Sequence, residues 1–169
     1  MLVLATACGG AAAAPPAAHV AGTDVTDAQL AVTAGVFESL FGLQHSACGQ
    51  TDGVDDTAAA ACNRYSLAAM IQFRLAQDYA SKNGISVADA DLQKTIDGFE
   101  SQVGKGTLAT LLQTNNVTHD DFAQLVRLSL LENEVAKALA TAKVDVAQLR
   151  TAYQQNPTRV GRSRSDPCW

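Results

Sequence analysis

The residues of this 169-residue chain that could do chemistry are three histidines, four cysteines and a scatter of aspartates. Cys48 and Cys62 flank a Gly/Asp/Thr-rich stretch, Gly49 to Thr57. As a disulfide they would close a loop of about fifteen residues, worth ~3 kcal/mol in the chain-entropy view. They can also be read as two reduced, small apolar side chains. A third reading is a metal pair with His45, since His45-Ser46-Ala47-Cys48 has helical ligand spacing; a fourth zinc ligand is not in view. Asp52, Asp55 and Asp56 resemble a calcium loop in composition, but its spacing and closing Glu are missing. Asp89/Asp91 and Asp120/Asp121 could be paired acids for proton transfer. Both pairs fall in expected first helical turns, where carboxylates complement the positive end of the helix dipole. His19, His45 and His119 fall in a tether, a loop and a helix cap, and His119 reads as a solvated side chain. There is no Gly-x-Ser-x-Gly, phosphate-cradling glycine loop, His-Glu-x-x-His or Cys-x-x-Cys. No catalytic residue, metal ligand or cofactor is therefore assigned.

The elements that would position these groups are helices with a repeated start signal. In Val25-Thr26-Asp27-Ala28-Gln29-Leu30, Thr26 can cap the first turn, Gln29 can reach back, and Val25 can pack on Leu30. The arrangement recurs at Val117–Phe122 and Val144–Leu149, with a weaker copy at Ile85–Asp89. The first helix is expected from Asp27 to about Leu43, with an apolar face of Val32, Val36, Phe37, Leu40, Phe41 and Leu43. The second runs from about Ala59 to Lys82 and stops at Asn83-Gly84. Its ridge is read as Leu67, Ile71, Leu75 and Tyr79, widened by Met70 and Phe73. The third spans about Val87 to Val103, with Leu92, Ile96, Phe99 and Val103 inward. Gly104-Lys105-Gly106 breaks it. A short helix with Leu108, Leu111 and Leu112 ends at Asn115-Asn116. The fifth, Asp120 to about Thr141, carries a wide apolar arc that includes Phe122, Leu125, Leu128 and Leu131. The sixth runs from Val146 to about Gln155 and stops before Pro157. No convincing strand is seen, and Val20 to Val25 could make at most a short extended arm. The expected fold class is all-α, a multi-helix module of about six helices behind a flexible tether.

Hydrophobic residues make up 47% of the chain, enough for a real core, and prolines are confined to its two ends. Arg159, Arg162 and Arg164 against Asp166 give the last eleven residues +2, which leaves −7 for the rest of a chain whose net charge is −5. An acidic body argues against nucleic acid as a partner. Leu2 to Ala7 is apolar, too short to span a bilayer, and reads as the end of a signal-peptide core. Leu-Ala-Thr-Ala-Cys-Gly resembles a bacterial lipobox, with Ala5 where Leu is usual; it makes Cys8 the expected lipidation site and gives a membrane anchor. Residues 1–8 are thus expected as a signal region, 9–22 as an Ala/Pro-rich tether reaching some 40 Å, 23–157 as the helical domain, and 158–169 as a patternless tail. That tail reads as a shifted reading frame or a truncated gene.

The order of these elements resembles the SurA/PrsA/trigger-factor-like chaperones. Residues 67–92 (Leu-Ala-Ala-Met-Ile-Gln-Phe-Arg-Leu-Ala … Lys-Asn-Gly-Ile-Ser-Val-Ala-Asp-Ala-Asp-Leu) resemble their long helix followed by a Gly-Ile-Thr-Val-Ser-Asp turn. Residues 111–127 resemble the next turn, where a long helix begins with Thr-x-x-Asp-Phe. Residues 143–157 are similar to the exit helix that leads into a parvulin-type prolyl isomerase domain, and that domain is not seen here. Residues 20–30 match the usual Val-Asn-Gly-x-x-Ile-Thr opening, with Ala21 in place of Asn; the Gly49–Thr57 stretch is an insertion. The resemblance implies an extracytoplasmic, membrane-anchored or periplasmic chaperone module. It would cradle unfolded or nascent exported polypeptides without ATP, and uncovered apolar surface would also favour self-association. Phe37, Leu40, Phe41, Met70, Phe73, Phe122, Leu128 and Leu131 are then the candidate client-binding residues. Two other readings stand beside it: the front of a parvulin-type prolyl isomerase, and a non-chaperone helical surface lipoprotein.

Overall fold

Ala21 and Gly22 both take positive φ, 50° and 77°. Two successive left-handed residues make the turn that matches the twist of a tight hairpin. β1 (Ala18–Val20) and β2 (Thr23–Val25) pair antiparallel across it, with Ala18 opposite Val25 and His19 opposite Asp24. Alanine in this conformation costs on the order of 1–2 kcal/mol. His19 Nδ1 lies 2.6 Å from Asp24 Oδ1 across the strands. The segment read as a tether up to Gly22 thus already carries β1. The computed structural model describes residues 15–141 and four positions beyond them, Ala147, Arg150, Thr151 and Gln154.

Five helices follow among the described residues: α1 (Asp27–Leu43), α2 (Ala58–Asn83), α3 (Asp89–Val103), α4 (Lys105–Thr114) and α5 (His119–Thr141). The fold is all-α but for the hairpin. Their ends obey local chemistry. Thr26 and Gln29 form the reciprocal capping box of α1, at 3.2 Å and 3.1 Å. Thr118 accepts from the Asp121 N–H at 3.1 Å, and the Asp121 carboxylate accepts from the Thr118 N–H at 2.8 Å, so α5 opens the same way with Asp in the third position. Asn116 takes φ 55° and closes α4: its N–H reaches the Gln113 carbonyl at 3.1 Å, and the Val117 N–H reaches that of Leu112 at 3.0 Å. The weak start at Ile85–Asp89 leaves α3 without a side-chain cap. Most of the expected sixth helix lies outside the described residues, as does the start at Val144–Leu149; the four positions described there are helical.

The chain divides into two compact units, Met1–Val135 and Ala136–Trp169. In the first, Val36, Phe73, Ile96, Leu108, Leu112, Val117, Phe122 and Leu125 form the main core. The expected inward face of α3 is found there, Ile96 being buried with Leu92, Phe99 and Val103 packed around it. The expected ridge of α2 is not. Leu75 is 54% exposed, while Ala61, Cys62, Ser66, Met70, Phe73, Ala76 and Ala80 are buried. Cys62 lies against Ala34 of α1, and Ala76 and Ala80 pack with Val135 of α5, so small side chains make much of the contact in place of the long ridge residues. α1 likewise buries Ala34, Gly35 and Ser39, the first toward α2 and the other two toward the end of α4. In the second unit the Thr151 hydroxyl donates to the Ala147 carbonyl at 3.0 Å.

Candidate functional site

α1 packs closely on α2 and α4, and α3 packs on α4. The first half of α5 meets this core through the long side chains of Phe122, Leu125 and Leu128. A helix held off by long side chains leaves a trough beside it. Here the trough runs between α1, α2 and α5 and has a volume of about 380 Å³, within the usual range for ligand-binding clefts. Val32 and Val36 from α1, Met70 and Phe73 from α2, and Leu125 and Leu128 from α5 give it apolar walls. Gln29, Arg74, Gln77, Asp121 and Gln124 stand among them. Val32 is 38% exposed. The site is therefore a greasy groove with amide and charged groups along it.

The eight candidate client-binding residues do not form one surface. Met70, Phe73 and Leu128 line the groove. Phe37 and Phe41 stand elsewhere, edge-on to the Tyr65 ring at 5.0 Å and 5.3 Å, beside the Cys48 and Cys62 side chains. Leu40 packs on the main core, and Leu131 on a smaller cluster of Ala76, Ala80 and Val135. Phe122 is 1% exposed and belongs to the core, not to a surface. A wide apolar arc on α5 gives one edge to the interior, and the sequence does not say which. Val32, which the sequence places on the apolar face of α1 without marking it as client-binding, and Gln77 also line the groove; their signal is an apolar and an amide residue on the edges of the helix faces.

The charged residues find partners that their sequence positions do not suggest. Glu100 on α3 is 7% exposed. Its Oε2 lies 3.1 Å from Lys105 Nζ and its Oε1 lies 2.9 Å from His119 Nε2. Hydrogen bonds from Lys105 and then from His119 hold its carboxyl below the ordinary carboxylate value. His119 is thus tied to a buried acid and is not simply solvated. Asp89 does stand in the first turn of α3, and it also pairs with Arg127 of α5 at 2.6 Å. Asp56 is engaged by Arg64 and by the Asp52 N–H, chiefly the former, which lowers its pKa to about 2. A carboxylate so occupied is a lock on the loop rather than an open ligand. Cys48 and Cys62 lie with their sulfurs 2.01 Å apart, at disulfide distance, so the metal reading with His45 loses two of its ligands. Cys8 lies outside the described residues.

The family profile described as SurA-like N-terminal domain matches residues 5–136. The chain belongs to the SurA-like N-terminal domain family. The match takes in the hairpin, α1 to α4 and all but the end of α5, which are the elements that build the groove. No curated protein and no solved structure gives a significant match. Among the described residues, no helix of this SurA-like domain is long and apolar enough to cross a membrane.

Proposed function

We propose that this SurA-like domain is an ATP-independent, extracytoplasmic chaperone module that holds unfolded or partly folded polypeptides in the groove between α1, α2 and α5. The observation that carries the reading is the composition of that groove: apolar walls, with the side-chain amide of Gln124 and the amide NH2 groups of Gln29 and Gln77 along them, the oxygens of the latter two serving the α1 cap and Arg74. An unfolded segment offers apolar side chains together with backbone N–H and C=O groups that have lost their partners. The walls can take the first, and an amide, both donor and acceptor, can take the second. The Cys48–Cys62 pair at disulfide distance supports an oxidising compartment, because such bonds persist outside the cytosol.

The test is direct. The full chain should slow the aggregation of a chemically unfolded protein diluted into buffer, and should bind extended apolar peptides in fluorescence polarisation. Leu128→Asp, which puts a charge on the groove wall, should weaken peptide binding about tenfold or more with the circular dichroism spectrum unchanged. A wild-type chain that neither slows aggregation nor binds such peptides overturns the reading.

A further inference from the structure

Arg74 stands on the α2 wall of the groove, with Met70 one turn before it and Gln77 after it, both also lining the groove. Its guanidinium donates one hydrogen bond, Nη1 to Gln77 Oε1 at 3.3 Å, and it makes no ion pair among the described residues. The nearby carboxylates form no ion pair with it. Asp78, one helical turn further along α2, pairs with Lys82 at 2.7 Å. Asp121, from the α5 wall, accepts from the Thr118 N–H at 2.8 Å and the Thr118 hydroxyl at 2.6 Å. An arginine carries five N–H donors in a planar fork that fits a carboxylate two-point. Most of that fork meets no protein carboxylate here, and it stands beside apolar walls where a charge pair is worth more than in bulk water.

Resting on the reading of the groove as a polypeptide site, we propose that it selects apolar segments that carry an acidic side chain, with Arg74 as the partner of that carboxylate. The occupant is taken as a mid-chain Asp or Glu rather than a chain end, because Met70 and Gln77, on either side of Arg74 along α2, also line the groove. A lysine at the same place in the segment would meet a like charge, so the selection works by exclusion as well as by attraction.

The experiment uses the full chain and three labelled, C-terminally amidated apolar peptides that differ at one central residue, Glu, Gln or Lys. The Glu peptide should bind about tenfold more tightly than the Lys peptide, with Gln between them. Added salt should narrow the difference. Arg74→Glu should invert the order, and Arg74→Lys should keep it with a smaller spread. Equal binding of Glu and Lys peptides, or an order that survives Arg74→Glu, overturns the inference and leaves the groove as a plain apolar site. A Gln peptide with a free C-terminus that outbinds the amidated Glu peptide also overturns it, by giving Arg74 to chain ends. If none of the peptides binds, the proposed chaperone function falls with it.

Discussion

Glu100 shows how one residue ties the domain to pH. Its carboxylate is nearly buried, yet it stays charged because Lys105 and His119 both reach it. Its pKa is lowered from the ordinary 4.5, and that of Asp56 from 3.8 to about 2. A depressed carboxylate pKa means that the unfolded chain binds the proton more readily. The stabilisation is therefore complete above the ordinary values and is lost as the pH falls through the lower folded ones. The thermal midpoint should fall between about pH 5 and pH 2. Glu100→Gln and Asp56→Asn should each lower it at about pH 7 and flatten the fall, which a set of calorimetric scans across this range would read. Parallel curves for wild type and both variants would show that these carboxylates do not carry the effect.

At the scale of elements, α1 crosses the end of α4 at close range. A Cβ on Gly35 would lie 2.8 Å from Val117 Cγ1 and 2.9 Å from the Asn115 carbonyl oxygen. Beside it the Ser39 hydroxyl donates to the Gly35 carbonyl at 2.8 Å and to the Leu111 carbonyl at 3.2 Å. Asn115 Nδ2 donates in turn to the Ser39 oxygen at 2.9 Å. Packing and polar partners thus fix the same crossing, and neither can shift without the other. Gly35→Ala should lower stability by about 1–3 kcal/mol, as overpacking does. Gly98→Ala on α3, where a Cβ would meet nothing within 4 Å, should raise it by about 0.5–1 kcal/mol. Urea denaturation of the two variants gives the comparison, and equal effects would contradict the close approach at Gly35.

At the scale of the whole molecule, the insertion between α1 and α2 is closed by Cys48 and Cys62 and held by the Asp56–Arg64 pair. Val54, within it, is fully exposed, so the loop draws its order from these ties and not from that side chain. A bond between the two cysteines should resist thiol labelling until the chain is reduced. Replacing both by serine should lower stability by about 3 kcal/mol, the loop-closure entropy of a segment of this length. A double variant as stable as wild type, or Cys48 and Cys62 found labelled without reduction when the labelled peptides are mapped, would mean that the loop is closed by its polar contacts alone. The groove is also a whole-molecule property, since α1, α2 and α5 meet there from three separate stretches of chain.

What the sequence by itself determined was where helices begin and end. Thr26 with Gln29, Thr118 with Asp121, Asn83-Gly84 and Asn115-Asn116 act on backbone groups only a few residues away, so their effect is readable in place. The order of those signals was also enough to indicate the family. Only the tertiary structure decided which face of each helix turned inward. α2 carries long apolar side chains on one face and small ones on another. The buried face is mostly the small one, Cys62 against Ala34 of α1 and Ala76 and Ala80 against Val135 of α5, with Met70 and Phe73 buried beside them and Leu75 left exposed. The tertiary packing also buried Phe122, brought Val32 and Gln77 to the groove, left Arg74 without an ion pair among the described residues, and set Glu100 against a histidine nineteen residues away. A cap is satisfied by its neighbours along the chain, whereas a face is satisfied by whatever distant element can lie against it, and that is settled by shape in three dimensions.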